Sequence, residues 1–270
     1  MPVKICRAML VIFCLLSSAV LAAGSGQDNL GRWSDAELAR VISTAHRLDT
    51  PGAQIVAISA HFLAAPYAAD TLIGGPQTAE QLVVHPAGFD CFTLLDTIEA
   101  LRRASGPADF AEQLREVRYR DGQVSYLARR HFFSDWVAGD TGPIVDVTAT
   151  VGQGKAQTVV KQLNLKADGR HWLPGLPVVH RDIRYIPVAE IDRQLLAALQ
   201  PGDYLGLYSQ QAGLDVSHTG VLVKEGERYL LRHASSRLGV GRVVDVDLLE
   251  YLQGKPGLVV YRVRDQGHAE

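Results

Sequence analysis

The chain has 270 residues, 47% of them hydrophobic, with 27 Lys and Arg against 29 Asp and Glu and a formal net charge of −2. A slightly acidic balance without basic runs excludes nucleic-acid binding by counterion release and gives no electrostatic reason to seek an anionic membrane surface. The apolar content supports a sizeable core, and the length suits one large domain or one domain with a big insertion.

From the N-terminus, Lys4 and Arg7 precede an almost unbroken apolar run, Met9 to Val20, and small residues follow at Ala22, Ala23, Gly24 and Ser25. This is the pattern of a secretory signal peptide over residues 1–23, too short and wrongly flanked for a membrane span. The mature chain, 24–270, is expected to be a single exported domain, periplasmic or secreted, with no membrane anchor. Cys6 and Cys14 leave with the leader, so of three cysteines only Cys91 stays. A lone thiol builds neither an intramolecular disulfide nor a thiolate zinc site, and in an oxidising compartment it must be buried or used.

Ser34-Asp35-Ala36-Glu37 has capping-box spacing and opens a helix to about His46. A second helix follows Pro51 and ends near Ala64-Ala65-Pro66. Residues 70–90 read as a loop with a short strand at Leu82-Val83-Val84. In the next segment Phe92, Leu94, Leu95, Ile98 and Leu101 share one helical face, so a buried amphipathic helix begins close to Cys91. Another helix is expected over Ala108 to Val117, and a β-like run over Ile144 to Val151. The Gly-rich stretch Gly152 to Pro177 has no period and reads as a surface excursion, before a helix near Ala189 to Leu199. Beyond Pro201-Gly202 the character changes. Asp203–Tyr208, Val216–Lys224, Arg228–Ala234, Val240–Val244 and Leu258–Val263 are short, apolar and β-branched, with turn residues between them. Helices first and strands last give an α+β class, with helices packed on a small antiparallel sheet or half-barrel.

Cys91 combines three features that favour chemistry. A helix N-terminus supplies unpaired N–H groups and a dipole that stabilise a thiolate, and the same N–H groups can receive an oxyanion. Gly88 just upstream lets another group approach the backbone. The alternative is a thiol packed as a small hydrophobe. A nucleophilic thiol needs a base, and His218 and His233 lie on two successive strands around a turn at Glu225-Gly226. If Lys224 faces Glu227, His218 falls directly opposite His233, and one imidazole can orient the other. A bulge at Gly226 would shift that register. Closely spaced ligand pairs for a metal are absent, as are a Gly-x-Ser-x-Gly elbow, a phosphate-cradling loop and His-Glu-x-x-His, so no metal or cofactor is expected.

Phe89-Asp90-Cys91 at a helix start, Ser217-His218-Thr219-Gly220-Val221, and His233-Ala234-Ser235-Ser236 with Gly239-Val240 together resemble the NlpC-type, papain-like cell-wall cysteine hydrolases. The long separation of Cys91 from His218 departs from compact members and matches their N-acetylmuramoyl-L-alanine amidase-like branch. That branch is similar in Pro66-Tyr67, Thr71-Leu72, Arg120-Asp121-Gly122, His131-Phe132-Phe133 and Asp135-Trp136. The resemblance implies a papain-like fold with a large insertion, about residues 105–200, forming part of the cleft. It implies Cys91 as nucleophile, His218 as general base and His233 as orienting residue. The reaction implied is cleavage of the amide between N-acetylmuramic acid and L-alanine in peptidoglycan fragments (muropeptides). Tyr67, Asp90, Arg130, His131, Trp136 and Ser217 are then expected around the substrate: Tyr67 beside the nucleophile, Arg130 on a stem-peptide carboxylate, Trp136 on a sugar or in the pocket wall. An inserted mini-core is the alternative for the aromatic cluster. Two rivals share the sequence: an endopeptidase cutting after D-glutamate, and a non-catalytic wall-binding protein.

Overall fold

In a computed structural model, residues 33–84, 88–139 and 142–265 are described. The expected signal peptide, with Cys6 and Cys14, lies outside them. Ser34 accepts from Glu37 N–H while the Glu37 carboxylate accepts from Ser34 N–H, so the capping box starts α1 (Asp35–Ala45) as its spacing requires. Thr50 caps α2 (Pro51–Ala60), with Pro51 in the first turn, where its missing N–H leaves nothing unpaired. This helix stops earlier than expected, and Ala64 takes a left-handed φ of 64°.

Instead of a strand at Leu82–Val84, a small hairpin pairs β1 (Ile73–Gly75) with β2 (Thr78–Gln81). The Val83 carbonyl accepts from Arg118 Nη1 at 2.6 Å. Next come α3 (Cys91–Arg103) and α4 (Pro107–Arg118). The expected β run breaks after β3 (Ile144–Asp146), because Asp146 Oδ1 accepts from Thr148 N–H at 2.9 Å and α5 (Thr148–Gly152) begins.

The unpatterned stretch after Gly152 corrects the surface-excursion reading. It contains β4 (Gln157–Leu163), paired along its length with β5 (Val179–Pro187). Lys161 hides the alternation: it occupies a buried position and donates Nζ–H to the carbonyls of Ser209 and Gln211 at 2.7 and 3.0 Å. The chain ends with α6 (Arg193–Ala198), β6 (Tyr204–Tyr208), β7 (Val216–Glu225), β8 (Arg228–Ser235), β9 (Arg242–Asp247), α7 (Leu248–Leu252) and β10 (Gly257–Val263).

The main sheet is antiparallel and larger than the small one expected. Its order is β4-β5-β10-β6-β7-β8-β9, and β3 adds to β10, for eight strands. Both faces are covered. Helices α1–α4 pack on one face against Tyr204, Val221, Ala234, Val259 and Tyr261. Leu195, Leu196, Leu248 and Leu252 from α6 and α7 pack on the other, against Leu205, Leu207, Leu222, Leu231 and Val260. Central strands buried on both faces are apolar without alternation, which is why β6 reads as a continuous apolar run.

Candidate active site

Asp90 places Cys91. Its Oδ1 accepts from the N–H groups of Phe92 and Thr93 at 2.9 and 2.7 Å and from the Thr93 hydroxyl at 2.8 Å, so the helix starts at Cys91. Two first-turn N–H groups are thereby committed, and the backbone donor left beside the thiol is that of Cys91 itself. This narrows the expected oxyanion donors. Burial pushes the Cys91 thiol up from its ordinary value and the Asp90 charge adds to the rise, while hydrogen bonds from Thr219 oppose it. The Thr219 hydroxyl also donates to the Cys91 carbonyl at 2.8 Å, tying α3 to β7 next to His218.

The β7–β8 hairpin differs from the expected register. Glu225 faces Arg228 across a turn with Gly226 at φ 60°, and Val221 faces Arg232, so the pairing is displaced by two. An even displacement keeps every side chain on its face. His218 and His233 are therefore diagonal neighbours rather than opposed, and His218 Nε2 lies 2.7 Å from His233 Nδ1, the rings edge to face. His233 is 1% exposed, and Tyr251 of α7 packs on it at 4.8 Å between centroids. Burial, reinforced by His233 and Lys255, lowers His218 to about 3; burial lowers His233 to about 4. Both imidazoles are neutral near pH 7.

A bulge precedes His218. Leu207 pairs with His218 while Tyr208 pairs with Val216, leaving Ser217 as the extra residue. Bulges bend a strand and re-aim its side chains. By strand alternation His218 falls on the face of Leu222, where its ring lies 5.9 Å from that of Tyr251. His218 and Cys91 line one cleft of about 300 Å³, with Phe132, Phe133, Trp172 and Leu173 among its walls. A second cleft of about 480 Å³ opens on the other side of Cys91, lined by Tyr67, Asp90, Asp96, Arg118, Arg129 and Arg130 among others. Cys91, Phe92 and His131 line both.

The other expected site residues divide. Tyr67 is half-buried beside Cys91; burial raises its phenol, the charges of Asp90 and Cys91 add to the rise, and a hydrogen bond with Ser236 opposes them. His131 Nε2 bonds the Tyr126 carbonyl at 2.7 Å, and burial lowers its pKa to about 4. Ser217 lines the smaller cleft with its hydroxyl 3.4 Å from the Leu207 carbonyl. Arg130 lines the larger cleft, but its Nη1 already donates to the carbonyls of Glu116, Val117 and Tyr119 at the end of α4. Trp136 corrects the sugar-stacking expectation. It is 7% exposed, packed on Phe92, Phe133 and Tyr204, and lines neither cleft around Cys91. The mini-core alternative describes it.

Sequence reasoning missed Thr219, Tyr251 and Trp172. Thr219 follows His218 directly, and strand alternation could have turned it toward α3. Tyr251 sits on a helix too short to show a period. Trp172 lay in the stretch read as featureless. Among the described residues no cluster of three or more His, Cys, Asp or Glu is arranged to hold a metal, and none of their helices is long and apolar enough to cross a membrane.

No curated protein matches the sequence. Among solved structures, an N-acetylmuramoyl-L-alanine amidase from Bacteroides uniformis is 26% identical with a TM-score of 0.67, covering 79% of this chain and 99% of that one. A Legionella pneumophila protein has a TM-score of 0.68 at 23% identity, over 85% and 94% of the two chains, a likeness of fold alone. A Bacteroides fragilis protein described as a candidate xylanase is 27% identical, with a TM-score of 0.63 over 76% and 98%. The AmiA-like family, described as N-acetylmuramoyl-L-alanine amidase-like, matches residues 57–258. The match spans well over half of the sequence and contains Cys91, His218 and His233, and the chain belongs to that family.

Proposed function

We propose that this protein hydrolyses the amide between the lactyl group of N-acetylmuramic acid and L-alanine in peptidoglycan fragments, through a thioester on Cys91. The observation that carries the reading is the shared cleft: Cys91 at a helix start and His218 on a bulged strand open into one space, and His233 holds His218 from behind. The family and the Bacteroides uniformis neighbour point to the same bond. The likeness to NlpC-type, papain-like hydrolases belongs with this reading, as does action outside the cytoplasm after loss of residues 1–23.

The resting pair is a neutral thiol beside a neutral imidazole, because burial raises the one and lowers the other. His218 takes the thiol proton as the sulfur attacks, rather than holding a preformed ion pair. Its Nε2 is engaged with His233, so Nδ1 is the atom that accepts. That needs Nε2–H to donate to His233 Nδ1, which in turn puts the His233 proton on Nε2. The Cys91 N–H receives the oxyanion. His218 then returns the proton to the alanine nitrogen, the C–N bond breaks, and water attacks the thioester to release the muramoyl carboxylate and the free thiol.

Mass spectrometry of one defined muropeptide after digestion tests this. Free sugar plus a peptide beginning with L-alanine is expected, and Cys91→Ala should abolish it with the fold intact. A shortened glycopeptide would instead assign endopeptidase activity, and unchanged turnover by Cys91→Ala would refute the nucleophile.

A further inference from the structure

The two clefts that meet at Cys91 differ in chemistry. The larger carries Arg118, Arg129 and Arg130 with Asp70, Asp90 and Asp96, a polar lining with charges of both signs, in which Arg118 pairs with Asp96, Arg129 with Glu80, and Arg130 Nη1 with backbone carbonyls. Asp96 is 4% exposed, accepts at Oδ2 from Arg118 Nε–H at 2.9 Å, and leaves its buried Oδ1 without a hydrogen-bond partner. The smaller is walled by Phe132, Phe133, Trp172, Leu173 and Leu214. Its single carboxylate, Asp215, is spent on the N–H groups of Ser134 and Val216 at 2.7 Å each, and its histidines are neutral.

Trp172 is the exposed aromatic of that wall, at 37%. It is held rather than loose. Its Nε1–H donates to the Ala212 carbonyl at 2.9 Å, and the Lys166 ammonium lies 4.4 Å from the ring centre. Asn164, fully buried, pins the adjoining backbone: Nδ2 donates to the carbonyls of Leu173 and Leu176 at 3.0 Å each, and Oδ1 accepts from Leu173 N–H at 2.7 Å. A buried amide spent on one surface loop fixes the indole in place before any ligand arrives.

From this we infer the direction of the substrate: the sugar lies in the smaller cleft with a pyranose face on Trp172, and the stem peptide runs into the larger one. The inference rests on the amidase reading for which bond sits over Cys91. A neutral pyranose offers C–H faces that suit an aromatic plane and needs no charge partner. A stem peptide carries carboxylates and an ammonium, which suit walls charged in both senses, and the Asp96 oxygen supplies an acceptor for one of its N–H groups. Trp172 thereby takes the role expected of Trp136.

Calorimetric titration of the Cys91→Ala protein tests this with three probes: the GlcNAc–MurNAc disaccharide, the tripeptide L-Ala-γ-D-Glu-diaminopimelate, and the muropeptide joining them. Adding Trp172→Ala should weaken the disaccharide and the muropeptide about tenfold and leave the tripeptide unchanged, while Trp172→Phe keeps most of the affinity. Raising the salt should weaken the tripeptide and not the disaccharide. A Trp172→Ala effect on the tripeptide alone, an equal effect on all three, or no effect on any would overturn the orientation. The bond cut is read separately from wild-type products. Cleavage within the peptide would remove the amidase reading while the Trp172 pattern still stood.

Discussion

Gly220 lies between His218 and the central part of β7, and its replacement by alanine tests the hairpin geometry and the histidine pair together. A Cβ built there falls 2.7 Å from the Arg232 carbonyl oxygen, 2.6 Å from Leu231 Cδ1 and 3.1 Å from His233 Cβ. The leucine methyl can rotate away. The carbonyl is backbone in the middle of the sheet and cannot, so β8 must move off β7 and carry His233 with it. Overpacking of this kind costs about 1–3 kcal/mol, of which alanine returns about 0.4–1 kcal/mol by restricting the unfolded chain. A displacement on the order of 1 Å in a catalytic group lowers the rate about 100-fold. Gly226→Ala is the control. That turn residue has φ 60° and open space around its built Cβ, so backbone strain of about 1 kcal/mol is expected with the rate unchanged. Urea midpoints and peptide release from a muropeptide read both quantities. Wild-type turnover by Gly220→Ala, or an equal loss of rate in Gly226→Ala, would refute the argument.

Other outcomes follow from the same contacts. Asp96→Ala strands the buried Arg118 guanidinium, which makes its ion pair at 2.9 Å with 3% side-chain exposure, and should cost about 3–5 kcal/mol by urea unfolding; a change below 1 kcal/mol would mean water reaches the site. His233→Ala should lower kcat about 100-fold with KM little changed and His233→Asn should recover part of it, because an amide can still hold His218 Nε2; equal activity of all three would remove His233 from the mechanism. His131, His218 and His233 stay neutral in the native state to about pH 4, 3 and 4, whereas in the unfolded chain they take protons below 6.5. The unfolded state then binds more protons, so stability is held above pH 6.5 and falls as the pH drops toward 4, by up to about 3 kcal/mol for His131 alone. His131→Gln should flatten the slope of urea midpoint against pH over that range, and an unaltered slope would contradict the burial argument.

The sequence was most legible where one physical pattern acted alone. The capping box at Ser34, the apolar face behind Cys91 and the β-branched runs after Pro201 each lead to the element observed, within a few residues. The hairpin came out two residues off register, yet the histidines stayed on one face, because β alternation repeats every two residues and tolerates even errors. Failure came where a tertiary partner overrides local pattern. Lys161 looks like a surface lysine and is buried on two carbonyls, which concealed β4. Nothing in residue type separates Trp136 from Trp172, and only packing shows that Trp136 is buried and Trp172 exposed. The bulge at Ser217 has no marker in its residue type.

The Asp90 cap has one more effect. Its carboxylate lies beside the thiol and, with burial, favours the protonated sulfur. Attack by hydrogen peroxide or by a foreign disulfide follows the thiolate fraction, so a side chain held this way ages slowly although no second cysteine of the described chain stands by to rescue it. Durability in an oxidant is then built into the same carboxylate that begins the helix, and Asp90→Asn should shorten the thiol's lifetime in dilute peroxide at neutral pH.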